Sequence, residues 1–104
     1  MVTKIGIHTP DLFKRVNQER IKSKQRPLED KAMALVFSIA FTALTKKWVD
    51  FKDEFIHLEE EQSEAIEKIC REKFNIDLSG IVQELGLTAM QSALFEQLKR
   101  NNVG

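Results

Sequence analysis

Residues 32–44, AMALVFSIAFTAL, constrain the fold more than any other stretch, because only Ser38 and Thr42 are polar among thirteen residues. At 100° per residue, Met33, Phe37, Phe41, Leu44 and Trp48 share one broad helical face, and Val36, Ile39, Ala40 and Ala43 cover the adjoining one. Lys31, Ser38, Thr42 and Thr45 are left on a narrow polar strip. A helix apolar over roughly two-thirds of its circumference needs cover on at least two sides. The side carrying Val36, Ala40 and Ala43 can be approached closely, whereas Phe37, Phe41 and Trp48 fill a thick layer. Membrane insertion fails on length. At ~1.5 Å per residue the run reaches ~20 Å, short of a ~30 Å hydrocarbon core. Lys31 at one end and Lys46-Lys47 at the other block an extension.

The chain has 104 residues, and that length sets one domain over residues 1–104 as the expectation. Four Gly and two Pro leave room for few turns, which favours few, long elements. Cys70 is the only cysteine, so no internal disulfide is possible, and the first thirty residues hold no apolar core of a secretory signal. A cytoplasmic location is the expectation from both. Formal net charge is zero, which gives no overall drive toward nucleic acid or acidic membranes. Charge is nonetheless segregated. Residues 14–26 hold six basic residues against Glu19 alone, and residues 50–64 hold seven acids against Lys52. Two solvated faces that attract one another across the fold account for this pattern.

Residues 1–8 place Ile5 and Ile7 on either side of Gly6, but without a partner strand they read as a surface arm. Thr9-Pro10-Asp11 supplies a capping hydroxyl, a fixed φ and an acid near the positive dipole end, so a helix starts there and runs to about Ser23. Pro27 followed by Leu28-Glu29-Asp30 opens the central helix, about residues 28–46. Beyond it, Phe51, Phe55, Leu58, Gln62, Ala65 and Ile69 recur at spacings of 4, 3, 4, 3 and 4, a heptad seam that predicts a long helix over about residues 50–74, with a break near Gln62-Ser63 as the alternative. Asn75 is its left-handed terminator. Residues 79–85 form a short helix stopped by Gly86. Thr88 and Gln91 stand at capping-box spacing and begin a last helix, with residues 101–104 a frayed tail. The expected fold is therefore all-α: a small bundle of four to five helices in which a buried central helix packs on the long heptad-patterned one.

Residues 81–98 resemble a helix-turn-helix, with Leu85-Gly86 ending one helix, an apolar Leu87, a capping Thr88 and a second helix. The resemblance implies DNA contacts from Thr88, Gln91 and Ser92. The sequence departs from the pattern at Val82, where a small residue is usual, and at Ser92, where an apolar one is. No Lys or Arg stands in the first turns to meet phosphate. Glu54 and His57 have the Glu-x-x-His spacing of di-iron bundles, but His8 is the only other histidine, so His57 reads as an exposed ion-pairing residue. Cys70 lies on the apolar side of the predicted long helix, as a small buried hydrophobe does. No phosphate-cradling glycine loop or Ser-His-Asp set can be assembled. No catalytic residue, cofactor or metal site is expected. The seam residues Phe51, Phe55, Leu58 and Gln62, together with Phe95, are the candidates for protein contacts, with Gln62 fixing register in a homodimer. A small non-enzymatic binding or regulatory protein, self-associating and engaging an unidentified protein partner, is the functional expectation. A DNA-binding regulator is the alternative.

Overall fold

Alternation rather than heptad spacing governs the segment FIHLE at Phe55–Glu59: Ile56 and Leu58 are buried and His57 between them is exposed. The computed structural model describes residues 4–101, without the side chains of residues 89 and 99–101. Its elements are β1 (Lys4–His8), α1 (Thr9–Lys22), α2 (Asp30–Thr45), β2 (Phe55–Glu59), a 3-10 turn (Glu60–Gln62), α3 (Ser63–Lys73), α4 (Ile81–Leu85) and α5 (Ala89–Asn101). The all-α expectation is thereby corrected. Helices dominate, but β1 and β2 form an antiparallel sheet with Ile5 opposite Leu58, Gly6 opposite His57 and Ile7 opposite Ile56. Each strand supplies the period-two partner that the other needs. Residues 4–8 are thus a strand with Ile7 and His8 buried, not a surface arm. Residues 1–3 of that arm and 102–104 of the expected tail lie outside the described residues.

The long helix over 50–74 is corrected as well, since only its second half, α3, is helical. Gln62 is where the expected seam breaks. Its side-chain oxygen accepts the Glu59 backbone N–H at 3.1 Å in a reciprocal capping box, so it caps a turn and does not occupy a register site. Asn75, with φ 54°, ends α3 in the left-handed region as expected, and the Ile76 N–H turns back to the Cys70 carbonyl at 3.2 Å. Thr9, expected to cap α1, instead donates its hydroxyl across the fold to the Asp53 and Glu54 carbonyls, which ties α1 to the approach to β2. Helix α2 starts at Asp30, two residues later than expected, because the Leu28 backbone is held on both sides by the Asn17 amide.

Helix α2 is the centre of the core. Met33, Ala34, Phe37 and Phe41 point inward, and the Phe37 ring meets Phe51 and Phe74 at 5.1 Å each and Phe13 at 6.0 Å. Ser38, placed on the polar strip from sequence, is buried. Its Oγ accepts the Phe51 N–H at 3.0 Å and so fixes the loop beyond α2 against the helix. Trp48 was expected on the same face as Phe37. The helix stops at Thr45 with Lys46 in the left-handed region, and Trp48 is left 63% exposed.

Paired residues of an antiparallel ribbon share a face, and a two-stranded ribbon is marginal unless its faces are covered. Ile5, Ile7, Ile56 and Leu58 lie on the core face. The other face carries Gly6, His57, His8 and Phe55, and α5 lies over it. Close approach is possible because residue 6 is glycine: a Cβ there would collide with the Ser92 hydroxyl. Leu87 joins the edge of β1 through two backbone hydrogen bonds with Gly6, of 2.7 and 2.8 Å. Gly86 stops α4, but its φ is −66°, so left-handed freedom is not why glycine stands there. A Cβ on it would strike the Val82 carbonyl and the Ile5 side chain.

Candidate functional site

Sequence demands cover on two sides of α2, and among the described residues one broad face of it stays open. Leu35 is 54% and Ile39 57% exposed, on the side of the helix turned away from Phe37, with Ala32 and Ala43 also exposed beside them. Leu35, Val36, Ile39, Ala40, Ala43 and Leu44 form one wall of an apolar groove of about 430 Å³, and Ile69, Glu72 and Lys73 of α3 form the other. Its floor is small-residued at Ala40 and Ala43, and its charges, Glu72 and Lys73, both come from α3. Such a surface favours an apolar ridge of another helix over a charged or polar ligand. A neighbouring groove, which shares Leu44 and follows α3 toward its N-terminus, differs in character. It is lined by Lys47, Glu59, Glu61, Glu64 and Lys68 among others, and Lys47 is already paired with Glu59 at 3.1 Å.

A second apolar surface lies on α5, where Met90, Leu94 and Leu98 recur every four residues and are 75%, 55% and 63% exposed. The same helix turns Ser92 and Phe95 toward the sheet. One face of α5 therefore holds it to its own chain and another carries a bare apolar stripe.

The interaction residues expected from the heptad seam are scattered by the sheet. Phe51 and Leu58 are fully buried, so no partner can reach them without unfolding. Gln62 is engaged in its cap. Phe55 and Phe95 are brought together, half-buried, with ring centroids 5.4 Å apart, and both lie 5.0 Å from the His8 ring. His8 is buried with Nδ1 2.9 Å from the Asp11 carboxylate and Nε2 3.2 Å from that of Glu54. That cluster joins β1, α1, β2 and α5, and it acts as a structural junction.

The DNA candidates are occupied too. The Thr88 N–H donates to the Gln91 side-chain oxygen at 2.9 Å and the Gln91 N–H donates to the Thr88 hydroxyl at 3.2 Å, a capping box as the spacing predicts. Ser92 is buried against Gly6, where no base edge can reach it. Glu54 precedes β2 and His57 lies on it, so their helical spacing is lost and Glu54 faces His8 instead. Among the described residues no group of three His, Cys, Asp or Glu side chains is placed to hold a metal ion. Cys70 is fully buried, and burial, with Glu67 adding to it, pushes its thiol up to about 12; at neutral pH it is a protonated core group. No described helix is long and apolar enough to cross a membrane.

No protein-family model, curated protein or solved structure matches the chain. The groove itself had a signal in the sequence. Ala32, Leu35, Val36, Ile39 and Ala43 follow the three-and-four spacing of a second packing face, and the need for two-sided cover was explicit. Leu35 was missed because the bulkier Phe37 and Phe41 define the dominant face.

Proposed function

We propose that this chain is a small non-enzymatic binding protein that acts through an apolar helical surface, the groove between α2 and α3. The observation that carries the reading is the bare face of α2, where Leu35 and Ile39 stay more than half exposed in the middle of the most hydrophobic helix. Contiguous apolar surface of that kind on a small protein marks a contact site. The fold has no need of it, because Phe37, Phe41 and Met33 already fill the core from the opposite side. We place the protein in the cytoplasm, a reading supported by an unpaired, buried Cys70.

A photo-reactive amino acid in place of Leu35 tests the reading in cells that make the protein. A covalent adduct of discrete mass at position 35, and none at the exposed position 52, is the expected result. Equal labelling at both positions, or none at either, overturns it. DNA binding through α5 gains nothing from the geometry, since Ser92 is buried and Thr88 and Gln91 satisfy each other.

A further inference from the structure

We infer that the groove takes the α5 helix of a second copy of this chain, with the two copies exchanging α5 reciprocally. The inference rests on the docking reading above and names its occupant. Length is the first argument. Met90 and Leu98 stand eight helical steps apart, as do Leu35 and Ala43 along the groove, so at ~1.5 Å per step both apolar tracts run ~12 Å. Shape is the second, because three large side chains every fourth residue make a ridge, and a floor containing Ala40 and Ala43 makes the matching hollow. Charge is the third. Between Met90 and Leu98 the only ionisable residue is Glu96, which a 100° step places on the far side of α5 from Leu94, so the ridge brings no charge into the groove.

Area decides between a single and a reciprocal contact. Leu35, Ile39, Leu44, Met90, Leu94 and Leu98 are each 40% exposed or more. At ~80 Å² apiece they offer ~500 Å² per copy, so a two-fold exchange removes ~1,000 Å², the threshold of a specific interface, whereas a one-way contact removes only half of that. Reciprocity also closes the assembly as a dimer and leaves no unpaired groove to propagate a chain of copies. A single exchange covers the α2 groove and the α5 stripe together.

Sedimentation equilibrium at micromolar concentration tests this with wild type, Ile39→Glu, Leu94→Lys and an equimolar mixture of the two variants. Both positions are exposed, and far-ultraviolet circular dichroism verifies that each variant folds. Wild type is expected to be a dimer, and each single variant a monomer, its association weakened about thirtyfold or more as for loss of a central anchor. The mixture is expected to return to dimer, since one of its contacts pairs Leu94 with Ile39 and the other Lys at 94 with Glu at 39. A monomeric wild type, a dimeric Leu94→Lys or a monomeric mixture overturns the exchange. In the second case α2 faces pair with each other. In the first, a foreign adduct at Leu35 still upholds the docking reading, and no adduct ends that reading too.

Discussion

Replacing Phe51 by Ala separates the two roles that this residue could have had. On a heptad seam Phe51 is an interface residue. In the structure it is fully buried, stacked on Phe37 at 5.1 Å and 16° and set edge-on to Phe41 at 5.7 Å and 60°. Emptying an aromatic core site costs about 3–5 kcal/mol, including the transfer of the ring and the cavity left behind. Two ring pairs worth ~0.5–1.5 kcal/mol each place the loss in the middle or upper part of that range, about 4 kcal/mol. In a chain of 104 residues this lowers the melting temperature by about 15–30 °C and takes a large share of a total stability of ~5–15 kcal/mol. Urea unfolding followed by circular dichroism measures it, and Phe51→Leu, which keeps most of the volume, is expected to lose about 1–2 kcal/mol. The loss should be independent of protein concentration, because a core contact is intramolecular. A loss below ~1 kcal/mol, or one that vanishes on dilution, would refute the packing described for Phe51.

Ser38→Ala removes the acceptor of the Phe51 N–H inside the core, and the orphaned donor should cost about 1–3 kcal/mol; hydrogen exchange at the Phe51 amide should accelerate, and an unchanged rate counts against this bond. Ser92→Ala is expected to raise stability by about 1 kcal/mol, since the buried Oγ has no hydrogen-bond partner among the described residues. A lower melting temperature for that variant would show that the hydroxyl is satisfied. Cys70 makes stability depend on alkaline pH. Its folded value is raised to about 12 from an ordinary 9.0, so the unfolded chain loses the proton first, and stability present below pH 9 falls as pH rises from 9 toward 12. The slope from this group is at most ~1.4 kcal/mol per pH unit, and Cys70→Val should flatten the curve between pH 9 and 10; an unaltered slope removes Cys70 as its source.

Much of the helical plan was legible because its signals are local. The Pro10-Asp11 start of α1, the left-handed Asn75 and the Thr88–Gln91 box all depend on residues within one turn and are in place, although the Thr9 hydroxyl expected to cap α1 donates elsewhere. The sheet was not legible, because its evidence is divided between two segments about fifty residues apart. Neither Ile5 and Ile7 nor Ile56 and Leu58 make a strand alone. Ile56 and Leu58 alternate at period two, whereas Phe55 and Leu58 fit period 3.5 with the flanking Phe51 and Gln62, which tipped the reading toward the helix. Trp48 and Ser38 failed for a related reason: a helical projection assumes that the helix continues and that a hydroxyl prefers water. Lys46 ends the helix, and Ser38 finds its partner in a loop thirteen residues on. For the proposed docking surface the logic of two-sided cover pointed to α2, while the heptad seam drew the candidate contact residues to a segment where Phe51 and Leu58 are buried.

The proposed exchange lays α5 of another copy over the bare face of α2. Isotope-filtered nuclear Overhauser measurements on an equimolar mixture of carbon-13-labelled and unlabelled chains test it most directly. Intermolecular effects from the Ile39 and Leu35 methyl groups to the side chains of Met90, Leu94 and Leu98 are expected. Intermolecular contacts of Ile39 only with Ile39 and Leu35 of the other copy, or no intermolecular contact from that face at all, would contradict it.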